Sequence, residues 1–168
     1  MVFEEVQKVY QNKILLLIVL ISFGILFTSF LIQLLGNIPI GNNPVSDIAF
    51  ALILSATGLF FFFLFRIKLI TRISRSGIKY RLYPFHSSFR EIEWSAIARA
   101  EVIKYKPIRD YGGWGYRNSF GKKGTAFSIS GDYGIAIDLK SGKRVLLGTI
   151  NPIDARAVLD HFDRGEDD

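Results

Sequence analysis

The residues from Arg109 to Gly124, "RDYGGWGYRNSFGKKG", pose the first chemical question, because they place five glycines and four basic side chains in sixteen positions. Glycines that free backbone N–H groups, together with flanking cations, are the ingredients of a phosphate cradle. The spacing fails for both common nucleotide loops. Counting from Gly115, the second glycine of a P-loop comes one place late, at Gly121, and Lys123 stands where Ser or Thr would hold magnesium. The dinucleotide pattern is broken by Asn118, three residues after Gly115. What remains is a candidate binding loop of Arg109, Tyr111, Trp114, Tyr116, Arg117, Lys122 and Lys123. Its cations suit anionic groups and its aromatic rings suit a membrane–water interface.

Elsewhere the acid–base repertoire is thin. The chain has two histidines and no cysteine, which excludes disulfides, thiol catalysis and cysteine-based zinc sites. His86, in "YPFHSS", and His161, beside Asp160 and near Asp163, are widely separated, so a metal site is not expected and both histidines are read as surface residues. The serines cluster in turn-like stretches, and no glycine-flanked nucleophile elbow appears. Asp132 reads as a turn residue and Asp138 as a strand position opposite Lys140 or Lys143. No catalytic residue, metal or cofactor is expected, and the chain is not expected to be an enzyme.

The elements that would position the loop begin with two apolar runs. From Ile14 to Phe65 the only charged residue is Asp47, a pattern foreign to a solvated domain. Residues 14–36 and 48–65 are each long enough to cross a hydrocarbon core of about 30 Å, and predict a transmembrane hairpin over 14–65. The connection "GNIPIGNNPVSD" is rich in turn formers and lacks Lys and Arg. Lys8 and Lys13 precede the first run; Arg66, Lys68 and Arg72 follow the second. The positive-inside rule then puts both termini in the cytoplasm, with residues 1–13 as an N-terminal segment. A cleaved signal peptide fits poorly, because the first run is too long and starts after Glu4 and Glu5. No ionisable group lies within either run, which disfavours a pump or channel. Gly24 and Gly58 offer small surfaces for helix contact.

Residues 66–163 alternate over short runs. "RIKLITRIS" and "IKYRLYPF" predict a hairpin about a turn at 75–77. Strands are expected near 89–93 and 101–106, with a turn over 94–99, and again at "TAFSIS", "GIAIDLK" and "RVLLGTI". "NPIDARAVLDHF" predicts a helix opening on Asn151 and Pro152, with Ile153, Ala157, Val158, Leu159 and Phe162 on its apolar side. An acidic tail, 164–168, ends the chain. Between Arg66 and Arg144 there are seventeen Lys and Arg against six Asp and Glu, within a net charge of +6. That imbalance suits an anionic membrane surface. Basic residues interleaved with aromatics, as in "KYKPIRDYGGWGYR", also suit nucleic acid, but the membrane runs argue against it.

The segments "EIEWSAIARAEV", "YGGWGYR" and "KRVLLGTINPIDARAVLDHF", in this order of strands and terminal helix, resemble bacterial PH-like domains attached to membrane hairpins. The likeness covers roughly Arg66 to Phe162. It implies an α+β architecture, a two-helix transmembrane hairpin followed by a PH-like split β-barrel of about seven strands capped by the C-terminal α-helix. It implies no reaction, since such domains mostly bind lipids, peptides or one another. The expectation is therefore a multi-pass protein of the bacterial cytoplasmic membrane whose domain binds anionic lipid headgroups or a partner protein. Self-association as a structural subunit is the alternative. The Arg109–Gly124 loop is expected to join two barrel strands, with Trp114 and Tyr116 folded back over apolar surface, and its meaning depends on whether it faces the bilayer.

Overall fold

A computed structural model describes residues 2–36, 38–41, 44–118 and 124–163. The two apolar runs form helices α1 (Lys13–Gly36) and α2 (Asp47–Phe65). At 1.5 Å per residue they are about 36 and 28 Å long, enough to cross a hydrocarbon core. A core helix of a water-soluble protein would be covered, whereas only 6% of the apolar window of either helix is buried. They lean together through Phe23 on Phe61 and Phe30 on Phe50, with ring centroids 6.2 and 5.6 Å apart. Gly58 admits the Phe23 ring, but Gly24 faces open space, so the expected small-residue contact is made at Gly58 alone of the two. Gln33 closes the hairpin by donating to the Val45 carbonyl and to Asp47 Oδ1, both at 2.8 Å.

The strands form two sheets. The first runs β1 (Phe3–Lys8), β2 (Lys68–Ser74), β3 (Gly77–Tyr83), β4 (Arg90–Ile92), all antiparallel. The second has the order β5-β8-β9-β7-β6, from β5 (Ile97–Lys104), β6 (Gly115–Asn118), β7 (Thr125–Ser128), β8 (Tyr133–Leu139) and β9 (Arg144–Thr149). Only the β7–β9 pair is parallel. The described residues thus hold nine strands rather than about seven, and no ladder joins the sheets into a closed barrel. The unforeseen strands are β1 and β6. The expected turn over 94–99 is a single 3-10 turn at Trp94–Ala96, and β5 starts directly after it.

One core lies between the sheets, built from Leu69, Ile73, Ile78 and Leu82 of the first and Phe127, Ile135, Ile137 and Leu147 of the second. Helix α4 (Pro152–Asp163) covers it with Ala155, Val158 and Leu159. Ile153, expected on that apolar side, is instead 81% exposed, and Ala157 is exposed as well. Leu15 of α1 and Leu64 and Phe65 of α2 pack on the same core. The helix ends and the sheets are therefore one packed unit. Asn12 adds a polar bolt: its Nδ2 donates to the Ile129 carbonyl at 2.9 Å, and its Oδ1 accepts from Leu15 N at the first turn of α1.

Strand β1 turns Glu5 and Gln7 inward, where they are 5% and 1% exposed. Glu5 Oε2 accepts from Thr149 Oγ1 at 2.8 Å and from Asn151 N at 3.1 Å; Oε1 accepts from Ile150 N at 3.1 Å and from Gln7 Nε2. Gln7 Nε2 also donates to the Gly148 carbonyl at 2.6 Å. A carboxylate here meets the donors just ahead of α4, where the helix dipole favours negative charge.

His86, read from the sequence as a surface histidine, is 8% exposed. It sits between Tyr80 and Phe127, with centroids 5.9 and 5.4 Å away, and its Nδ1 accepts from Leu82 N. Asp138 pairs with Arg144 rather than with either expected lysine, at 3.2 Å. Burial, and then the charge of Arg90, holds the His86 imidazole below its ordinary value of 6.5. A lowered folded value means that the unfolded chain takes the proton first. The His86 contribution to stability is thus complete above about pH 6.5 and is lost as the pH falls toward the lowered value. Thermal unfolding of the full chain in mild detergent is expected to show this decline, and His86→Phe to flatten it, while losing about 1 kcal/mol through the unpaired Leu82 N–H.

Candidate functional site

The strongest concavity near the predicted loop is a groove of about 880 Å³, lined by Lys104 to Asp110, Trp114 and Asp132. Its wall is a short helix, α3 (Pro107–Tyr111), that the sequence reading did not foresee. Pro107 suits the first turn, and Asp110 Oδ2 reaches back to accept from Lys106 N at 2.8 Å. Gly112, at φ 73°, ends the helix in the left-handed region while Gly112 N and Gly113 N donate to the carbonyls of Ile108 and Pro107. Two of the loop glycines thus stop a helix. Their N–H groups are spent on its carbonyls.

The floor of the groove is the β7–β8 turn. Tyr105 N donates to the Asp132 carbonyl at 2.8 Å, and Trp114 Nε1 donates to the Gly131 carbonyl at 3.0 Å. Two residues before Gly131 is Ile129, whose carbonyl is held by Asn12, the residue preceding α1. The chain Trp114–Gly131–Ile129–Asn12 fixes the groove close to the point where the first apolar helix leaves the sheets. Ile108, at 71% exposure, projects from α3 beside it.

Three cations border this space. Lys104 pairs with Asp132 at 3.3 Å, and that hydrogen bond holds its ammonium above its ordinary value. The Arg109 side chain is 74% exposed and stands 3.6 Å from Asp110. Lys106 is exposed. Burial pushes the Tyr105 and Tyr111 hydroxyls up. Lys104, Lys106 and Arg109, with Asp110 and Asp132 among them, leave the groove with a net positive edge next to an indole and exposed aliphatic surface. Such an edge attracts anions and accommodates a hydrocarbon–water boundary.

Of the predicted loop residues, the groove brings together Arg109 and Trp114. Tyr111 turns away and packs edge-on against Tyr105, 5.9 Å between centroids, in a second small core cluster. Tyr116 is on β6, stacked on Phe127 at 5.2 Å, as the fold-back expectation requires, yet 55% exposed. Arg117, also on β6, donates from Nε to the Trp114 carbonyl at 3.2 Å and so holds the Trp114 backbone. Lys122 and Lys123 lie outside the described residues. Where the strand resumes, Gly124, at φ 69°, leaves no room for a Cβ, which would run into the Arg144 carbonyl. Lys104, Lys106 and Asp132 belong to the groove but not to the predicted loop. For the two lysines the signal was the alternation in "KYKP", where they flank an inward Tyr105; Asp132 carried none beyond its turn position.

A family model described as a family of unknown function, DUF6141, matches residues 1–161. No match was found among curated proteins or among solved structures.

Proposed function

We propose that this chain, which belongs to the family of unknown function DUF6141, is a membrane-anchored, non-catalytic binding module whose groove receives anionic lipid headgroups. The carrying observation is the groove of Lys104, Lys106, Arg109 and Trp114, tied through Gly131 and Ile129 to the start of α1. In this reading α1 and α2 cross the bilayer as a hairpin. The pairing of β1 with β2 supports it, because strands on either side of the hairpin in one sheet require both chain ends on the same face. Lys8, Lys13, Arg66 and Lys68 flank the helices at that face, whereas 37–46 carries no Lys or Arg. The positive-inside rule makes this face cytoplasmic, and the bacterial PH-like likeness points to the cytoplasmic membrane. Two sheets around one core, covered by a C-terminal helix, agree with that likeness without a closed barrel.

The test uses the whole chain, because a fragment starting at residue 66 would lack β1. In a Trp94→Phe background, with Trp114 the remaining tryptophan, detergent-solubilised protein is titrated with phosphatidylglycerol or phosphatidylcholine. A saturable shift of Trp114 emission with phosphatidylglycerol alone is expected. Equal responses to both lipids would remove the headgroup reading. The open edge strand β6, exposed over Tyr116–Asn118, favours a second reading, self-association or a protein partner added along that edge. Native mass spectrometry in the same detergent decides it by mass.

A further inference from the structure

We propose that the helix-proximal end of the first sheet is itself seated in the bilayer interface, through Tyr10, Tyr83 and Phe85. This rests on the membrane reading above and adds a second point of contact, on the opposite sheet from the groove.

Strand β2 begins at Lys68, two residues after Arg66 caps α2. The register pairs Lys68 with Lys8 on one side and Tyr83 on the other. With strands about 4.8 Å apart, these three residues form a row within about 10 Å, right where the helices depart. Just beyond the row lie Tyr10, in the 3-10 turn that leads into α1, and Phe85, in the turn after β3. Tyr10 is 49% exposed and Phe85 65%. The turn that presents Phe85 is braced, since His86 N donates to the Leu82 carbonyl at 2.8 Å and Arg81 Nε to the His86 carbonyl at 3.1 Å.

Both tyrosines at this end, Tyr10 and Tyr83, carry a cation at the ring face. Lys8 Nζ stands 5.6 Å from the Tyr10 ring centre, and Lys68 Nζ 5.5 Å from that of Tyr83. At the last turn of α2, Arg66 lies 4.8 Å over Phe62. Rings with apolar bodies beside Lys and Arg that can reach headgroups are the composition of an interfacial belt. The far end of the same sheet is different in kind: its turn exposes Arg75 and Ser76, and the nearby Trp94 is tied inward to the Ser74 carbonyl. Seven residues of β2 separate the two ends, about 23 Å. The occupant of the aromatic end is the bilayer that holds the chain's own helices, because no other surface is brought there by covalent connection.

The test places single tryptophans in the full chain, with Trp94→Phe and Trp114→Phe as background, reconstituted into vesicles with brominated acyl chains. Three reporters are compared: Leu17→Trp on the exposed face of α1, Phe85→Trp, and Arg75→Trp at the far turn. Emission is expected to fall for Leu17→Trp and Phe85→Trp and to stay unchanged for Arg75→Trp. Quenching at Leu17→Trp without quenching at Phe85→Trp overturns this inference and leaves the membrane hairpin intact. Equal quenching of Phe85→Trp and Arg75→Trp also overturns it. No quenching at Leu17→Trp overturns the hairpin reading beneath it.

Discussion

Glu5→Ala is expected to cost about 3–5 kcal/mol, the scale of two or three hydrogen bonds to a carboxylate at about 1.5–3 kcal/mol each. In this chain the loss is concrete. Ile150 N, Asn151 N and Thr149 Oγ1 lose the carboxylate at the start of α4, and Gln7 Nε2 keeps only the Gly148 carbonyl. Thr149 Oγ1 is the buried donor left unpaired, at about 1–3 kcal/mol, while Ile150 N and Asn151 N are part-buried and Asn151 N keeps Thr149 Oγ1 as an acceptor. Thermal unfolding of the full chain in mild detergent, followed through tryptophan emission, should show the midpoint falling by about 10 °C or more. Glu4→Ala is the control. Glu4 is the next residue, but it points outward and pairs with Arg72 at 2.8 Å with both side chains nearly half exposed. Such a surface pair is worth about 0–1 kcal/mol. Equal losses for Glu4→Ala and Glu5→Ala would mean that β1 is not held by the inward network.

That contrast also shows where the sequence was readable. The hairpin helices are legible because an all-apolar run has one physical use over that length. Strands β2 and β3 are legible because Leu69 and Ile73, and Ile78 and Leu82, recur at even spacing with Arg72, Lys79 and Arg81 on the other face, whereas β8 and β9 are legible as short apolar runs bounded by turn residues. Strand β1 is not, because its inward positions include Glu5 and Gln7, and the alternation looks polar throughout "EEVQK". The partners that make those residues tolerable inside are Gly148 to Asn151, more than 140 positions away. His86 misleads for the same reason: a polar neighbourhood in "YPFHSS" hides a ring sandwiched by Tyr80 and Phe127. In the groove, Trp114 and Arg109 were found from composition, since indole and guanidinium amid glycines stand out. Lys104 and Lys106 join them only because α3 folds the chain back over the β7–β8 turn, and nothing local in "KYKPIRD" announces a five-residue helix beyond its proline.

The largest functional effect is expected from neutralising the groove, with Lys104→Gln, Lys106→Gln and Arg109→Gln combined. Each cation near an anionic surface contributes about 1 kcal/mol, so removing three weakens binding by about 3 kcal/mol, or roughly 100-fold. The effect should shrink as salt rises, because the Debye length falls from about 10 Å at 0.1 M to about 3 Å at 1 M. Net charge alone predicts the same loss from any three cations. Arg99→Gln, Lys140→Gln and Lys143→Gln together remove an equal charge at the other end of the second sheet, where Leu139 is paired with Ile97. Phosphatidylglycerol titration of both triple variants, read through Trp114 emission in the Trp94→Phe background, separates position from charge. A loss confined to the groove variant assigns the headgroup contact to Lys104, Lys106 and Arg109. Equal losses would make the interaction a property of the whole basic domain, and the groove would then be an incidental hollow beside α3.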